Sequence, residues 1–389
     1  MRKSLTCDLK SLMFPAFLLA VVFNYTCYAP SKVGAPIEGY LLKSAVVLTR
    51  HGCRAPFDGY GKYKPQNWTC DADSAVSPRM STSLAKNNRR YHTIIDSELI
   101  AYPPSCQKAD LTTFGMNQHQ ILGSTYRQYL VENMSFLPDV FDPSMFFFRS
   151  SEPERCIRSA ESFIHGLYPP INPDEYITIT TGTDPLELLH PRPGHCKDLL
   201  KSWNKWIHSD EYIEKKANAE LYLRSLVEET GLEWDDNQWL WIGDWLYTIG
   251  CCGSPLPDGI SQEAFDVALD AVEFFTLKFF SQDRGVAGAS ILREIFRIFE
   301  KSMNGQWNVK FSLLSAHDVS IVSVLNTIGI SISTIPPFAS HLAFEIWSKN
   351  DQDFIRILLN GEDIGNGLMK YSHFKNMLSA FIHYCPELG

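Results

Sequence analysis

The sequence predicts an α/β fold, and three observations predict it. Residues 45–49 (AVVLT), 145–148 (MFFF) and 311–315 (FSLLS) have the unbroken hydrophobicity of short strands buried on both faces. Each run stops at a polar cluster: Arg50-His51-Gly52, Arg149-Ser150 and Ala316-His317-Asp318. Helical patterns lie between the runs, and buried strands alternating with helices build a largely parallel sheet. Open parallel sheets bind ligands at the carboxyl ends of their strands, so the three clusters are predicted to share one edge.

The elements follow in chain order. Arg2 and Lys3 precede an apolar stretch at residues 12–23 (LMFPAFLLAVVF), with small and polar residues behind it, the layout of a secretory signal peptide. The stretch is shorter than the about 20 residues that span a bilayer. Residues 1–29 are therefore expected to be a signal peptide and the product to be secreted or lysosomal. A helix is expected over residues 113–133, with Leu122, Tyr126, Tyr129 and Leu130 on its buried face. Residues 184–288 are Trp-rich and lack strand alternation, so they are expected to form a helical domain inserted into a core of residues 36–183 and 289–389. Within the insertion Ser261 is placed to cap a helix that buries Phe265, Leu269, Val272, Phe275 or Thr276, and Phe279. Ser290 is placed to open the next helix, with Ile291, Ile295, Ile298 and Phe299 inward. Residues 341–348 and 353–359 flank a Lys-Asn-Asp-Gln turn and read as a hairpin.

Composition narrows the function. The 389 residues are 45% hydrophobic and 20% charged, enough apolar material for a packed core and unlike a disordered chain. The formal charge of −9 excludes the global basic field that holds nucleic acid, so an anionic ligand must be held by a local cluster of cations. Glu273 and Lys278 interrupt the most apolar later stretch, and no stable membrane span is expected after processing. Asn24, Asn67 and Asn133 head Asn-x-Ser/Thr triplets, which fit a glycoprotein. Cleavage after residue 29 would remove Cys7 and Cys27 and leave Cys53, Cys70, Cys106, Cys156, Cys196, Cys251, Cys252 and Cys385. That set suits three or four disulfide bonds in an oxidising compartment, with a connectivity the sequence alone does not give.

The chemistry concentrates in Arg50-His51-Gly52-Cys53-Arg54-Ala55-Pro56, an Arg-His-Gly-x-Arg-x-Pro heptapeptide at the end of a buried strand. Five specified positions arise by chance in such a chain with odds on the order of 10⁻⁴. Gly52 lets the backbone turn tightly against a ligand. Guanidinium forks match phosphate oxygens, and an imidazole held between two of them is biased toward its neutral, nucleophilic form. His317-Asp318 gains weight from its position after a strand. Arg155 could reach the same edge, or could pair with Glu152 or Glu154 instead.

These motifs resemble the histidine acid phosphatases, the branch of the histidine phosphatase superfamily that contains lysosomal and prostatic acid phosphatases and the phytases. The resemblance runs through Leu111-Thr112, Gly115, Gln118 and Leu122-Gly123, Arg149-Ser150 to Arg155 and Ser159-Ala160, Ser315 to Asp318, Pro336 to Ser340, and Asn360-Gly361-Glu362. It implies a three-layer α/β/α core of the phosphoglycerate mutase-like kind with the helical domain inserted. By the same resemblance His51 is the nucleophile that becomes phosphorylated and Asp318 protonates the leaving alcohol. Arg50, Arg54, Arg155 and His317 would bind the phosphoryl oxygens. Three arginines then do what metal ions do elsewhere, so neither metal nor cofactor is implied. A carboxylic acid donor, which ordinarily titrates near about pH 3.9, predicts an acidic optimum.

The expected partner is a small phosphomonoester or a phosphoprotein, with no nucleic acid, and a homodimer is left open. Alternatives within the resemblance are a phytase or inositol polyphosphate phosphatase, which would need a wide basic pocket, and a catalytically silent phosphate-ligand-binding protein. Cys196 with Cys385 resembles a family bridge, and Cys70 with Cys106 is a further pairing without a motif behind it. His341 stands where some relatives carry a cysteine, so the partner of Cys251 or Cys252 is open. Cys53, beside the nucleophile, reads as a small filler or bridge partner rather than a redox group.

Overall fold

A computed structural model of the chain describes residues 26–57, 69–70, 106–171, 176–229, 237–253 and 260–386. Eight strands form one sheet: β1 Leu41–Arg50, β2 Phe146–Ser150, β3 Ile179–Thr181, β4 Phe311–Ala316, β5 His341–Lys349, β6 Gln352–Leu359, β7 Glu362–Asp363 and β8 Met369–Lys370. Their order is β3-β2-β4-β1-β5-β6-β7, with β8 beside β6. The first four strands run parallel and β5 onward antiparallel. All three apolar runs of the sequence are strands in the parallel half, and the expected hairpin is β5–β6.

The register brings the three polar clusters together. Arg50 at the end of β1 lies opposite Ala316 of β4, and Ser315 lies opposite Ser150 of β2. Adjacent strands are about 4.8 Å apart, so side chains beyond these ends converge on one spot.

Nine helices are present among the described residues: α1 Thr113–Arg127, α2 Glu154–Leu167, α3 Lys197–Trp206, α4 Asp210–Glu229, α5 Gln238–Cys251, α6 Gln262–Phe274, α7 Ala289–Met303, α8 Asp318–Ile328 and α9 Tyr371–Leu378. Alternation along β1 explains the layers. Ala45 and Val47 pack with Leu122, Tyr126 and Phe163 of α1 and α2, whereas Val46 and Leu48 pack with Ile298 and Phe299 of α7 and Val324 of α8. Helices therefore cover both sheet faces, giving the expected three layers. Gly123 and Gly166 bring α1 and α2 together, since a methyl group on either would overlap a carbonyl of the other helix.

The expected helix over residues 113–133 is α1, continued by wider turns to Asn133, with all four expected residues buried. Asn133 is exposed, while Asn24 and Asn67 lie outside the described residues. Ser261 does cap α6, accepting from Ala264 N–H at 3.1 Å. The inward face of α6 is Phe265, Ala268, Ala271 and Phe274, with Leu269 and Val272 only half-buried; the small alanines let the neighbouring helix approach more closely than the sequence reading allowed. The helix expected from Ser290 begins one residue earlier, and the Ser290 hydroxyl bonds Leu188 O at 3.0 Å rather than capping. Between β3 and α7 the described residues hold four helices and no strand, built around Trp206, Trp239 and Trp245.

Residues 27–29, inside the expected leader, pack against the core. Cys27 is bonded to Cys251, Tyr28 bridges to Phe338, and Ala29 N–H donates to Phe338 O at 3.0 Å. A cut after Ala29 would remove these contacts. Most of the expected leader, residues 1–25, lies outside the described residues. Cys70–Cys106 and Cys196–Cys385 form as anticipated. Among the described residues no helix is long and apolar enough to cross a membrane.

Candidate active site

The heptapeptide is fixed largely through its backbone. Ser159 Oγ of α2 accepts from Gly52 N–H at 3.1 Å and Gln118 Oε1 of α1 accepts from Cys53 N–H at 2.9 Å. Thr112 Oγ1 donates to Cys53 O at 2.9 Å, and His119 Nε2 bonds Arg50 O at 3.0 Å. Gly52 and Gly115 are required by close approach, because a Cβ on either would overlap backbone of the other segment. The residues that carried the resemblance outside the heptapeptide are thus largely those that clamp it.

All six residues expected at the site line one cavity of about 610 Å³: Arg50, His51, Arg54, Arg155, His317 and Asp318. His51 is 3% exposed. Its Nδ1 lies 2.9 Å from Gly52 O, and a carbonyl only accepts, so Nδ1 carries the proton and Nε2 presents a lone pair. Burial, followed by the charges of Arg155, Arg50 and Arg54, holds His51 well below the ordinary histidine range. The ring is therefore neutral in acid and able to act as a nucleophile.

The arginines differ in how they are held. Arg50 pairs with Asp318 Oδ2 at 2.9 Å, donates to Tyr247 Oη at 2.9 Å and to Pro336 O, and lies 4.1 Å from the centre of the Phe338 ring. Arg54 pairs with Asp244 Oδ1 at 2.6 Å and lies over Phe57. The Arg155 side chain makes no hydrogen bond or ion pair among the described residues and is only 7% exposed. Its expected competitors are engaged elsewhere: Glu154 with Arg158 at 2.9 Å, and Glu152 with Asp184 N–H at 3.3 Å. Burial lowers Arg155 to about 10, so it remains cationic. The charges of Asp244 and Asp318 and the Phe57 ring, 5.0 Å away, offset part of the cost of burying it, and an anion entering the cavity would offset more.

His317 stands at the start of α8, 3% exposed, with Nε2 bonded to Ser151 Oγ at 3.0 Å and its ring edge-on to His51. Asp318 follows as the first residue of α8, and its Oδ1 accepts from Val319 N–H at 2.7 Å.

Sequence reasoning missed the helical contribution. Trp241, Asp244 and Tyr247 recur at three-residue spacing on α5, and Asp244 and Tyr247 hold Arg54 and Arg50. A signal was present: Asp244 is the lone charge in residues 238–253. His190 also lines the cavity unannounced. Phe57 lines the cavity as well, and most of residues 58–105 lie outside the described residues.

The cysteines near the site do not bridge. Cys53, Cys156 and Cys252 are free and buried, and burial pushes the Cys53 thiol up, which makes it an inert filler. Cys251 pairs with Cys27, and His341 bonds Lys32 O at 2.9 Å instead of forming a bridge.

A larger cavity of about 940 Å³ between α4 and α6 is lined by Glu211, Glu214, Asp270 and Glu273 against two lysines, the wrong charge balance for a phosphate.

Comparison with known proteins identifies the family. The histidine phosphatase superfamily (branch 2) matches over residues 41–205 and 197–360. Counting factor 60 of Dictyostelium discoideum is 25% identical over 378 residues, 91% of this chain and 90% of its own. Lysophosphatidic acid phosphatase type 6 of Bos taurus is 24% identical over 376 residues, covering 89% of this chain and 85% of its own. Among solved structures, the Hafnia alvei phytase in complex with myo-inositol hexakis sulphate superposes with a TM-score of 0.58 at 13% identity, over 90% of this chain and 99% of that one. With the family matched over most of its length and the fold shared with a phytase, the chain belongs to branch 2 of the histidine phosphatase superfamily and is a phosphatase enzyme.

Proposed function

We propose that the protein is a metal-independent acid phosphomonoesterase, secreted or lysosomal, that works through phospho-His51. The observation that carries this reading is the pairing of a neutral imidazole, its Nε2 lone pair free, with the buried and unpaired Arg155 in one cavity. Arg50, Arg54 and Arg155, with His317, bind the phosphoryl oxygens and stabilise the charge that builds on them during in-line transfer. His51 Nε2 attacks phosphorus, and the bond from phosphorus to the ester oxygen breaks. The electron pair stays on that oxygen, which takes the proton of Asp318. Water then attacks the phosphohistidine, gives its proton to Asp318, and His51 leaves as the free imidazole with inorganic phosphate as product. Both site carboxylates already pair with arginines, and a divalent cation entering the cavity would face three guanidinium groups.

The walls argue for an apolar alcohol. Phe57, Trp203, Leu240, Trp241, Phe275 and Phe280 also line the cavity. Among the described residues Arg192 is the one further cation of the lining, and it pairs with Asp184 at 3.4 Å. An inositol polyphosphate finds little there to neutralise its other phosphates, which disfavours the phytase reading. Three disulfide bonds among the described residues support an oxidising compartment.

A substrate panel tests this. At about pH 5, p-nitrophenyl phosphate and a long-chain alkyl phosphate should be hydrolysed with kcat/KM at least about tenfold above that for inositol hexakisphosphate, unchanged by a chelator. Activity that requires a divalent ion, or that favours the hexakisphosphate, contradicts the reading.

A further inference from the structure

The segment between β3 and α3 carries a third imidazole into the cavity. His190 stacks on His317 with ring centroids 3.7 Å apart and planes 26° apart, and it lines the cavity that holds His51 and Asp318. The backbone before it is fastened at several points. Glu187 accepts from Gly182 N–H at 2.8 Å and Leu189 N–H at 2.7 Å, and it pairs with Arg149 at 3.6 Å. Ser290 bonds Leu188 O, and Ser320 Oγ donates to Leu189 O while accepting from His317 N–H at 3.2 Å. One hydroxyl thus ties together the two segments that carry the stacked rings.

The partner of His190 fixes its tautomer. Arg192 Nη2 lies 3.0 Å from His190 Nδ1, and a guanidinium can only donate. Nδ1 therefore accepts, and the neutral ring carries its proton on Nε2. Asp184, which pairs with both Arg192 and His195, holds that guanidinium in place. Burial and the charges of Arg192 and Arg155 keep His190 well below the ordinary histidine range. Nε2–H has no acceptor among the described residues. The donor lines the cavity beside His317, so it is presented to whatever anion occupies that cavity.

We infer that His190 is a substrate-contacting residue: its Nε2–H donates to an oxygen of the phosphoryl group held by the arginines, while its ring face keeps His317 in plane. The inference rests on the phosphomonoesterase reading. It is tested by the inhibition constant of inorganic phosphate and by kcat/KM on p-nitrophenyl phosphate in His190→Phe, which keeps a ring to stack, and His190→Gln, which keeps a donor. His190→Phe should weaken phosphate about tenfold and lower kcat/KM at least as much, and His190→Gln should recover most of the phosphate affinity. Should His190→Phe fail to fold, His190→Leu takes its place as the donor-free comparison with His190→Gln. Phosphate bound as tightly by the donor-free variant as by wild type, or as weakly by His190→Gln as by the donor-free variant, overturns the inference. A wild-type enzyme inert toward p-nitrophenyl phosphate would instead overturn the reading beneath it.

Discussion

His51→Ala should lose at least about four orders of magnitude in kcat/KM on p-nitrophenyl phosphate, because it removes the atom that bonds to phosphorus. The loss should be separable from folding and from binding. The clamps from Gln118, His119, Ser159 and Thr112 all grip the backbone of the heptapeptide, so the loop keeps its shape without the imidazole. Arg50, Arg54, Arg155 and His317 remain to hold the anion, so inorganic phosphate should bind the variant within about tenfold of wild type. Turnover near the wild-type rate in a folded variant would mean that another group attacks phosphorus. The same geometry sets a sign for pH. An ordinary histidine near about 6.5 would become protonated and lose its nucleophilicity as pH falls from 7 to 5. His51, held well below that range, should lose less of it over that interval than an ordinary histidine would.

Asp318→Ala should cost about 10² to 10⁴ in kcat/KM on alkyl phosphates and less than about tenfold on p-nitrophenyl phosphate. The alkoxide leaving from an alkyl ester is strongly basic and needs a proton, whereas p-nitrophenolate departs without one. Asp318 is suited to supply it: it lines the cavity, anchored at the start of α8 by Val319 N–H and against Arg50 by a 2.9 Å ion pair. Equal losses on both substrates would show that Asp318 acts by orienting Arg50 rather than by proton transfer. The measurement is a set of steady-state parameters for both esters, with the melting temperature as control.

The catalytic half of the site was legible because its residues sit next to each other in sequence at the ends of apolar runs. Arg50, His51 and Arg54 share one turn after β1, and His317 with Asp318 share the turn between β4 and α8. Strand order was the hidden variable: β4 lies between β1 and β2, and only that adjacency brings the three turns together. Arg155 was ambiguous because two glutamates flank it in sequence, and helical geometry turns Glu154 toward Arg158, four residues on, instead. Asp244, Tyr247 and His190 reach the site across tertiary contacts with no strand end to announce them. The pairing of Cys27 with Cys251 was hidden for the same reason, since it spans 224 residues.

The central claim is that phosphate passes through a covalent bond to His51. Rapid mixing of enzyme with radiolabelled phosphomonoester, followed by an alkaline quench and peptide mapping, reads it directly. The phosphohistidine account predicts label that survives alkali, is lost in acid, approaches one phosphate per chain and maps to the peptide holding His51. Full turnover with no trapped label on that peptide, or label of the same amount in His51→Ala, would contradict it.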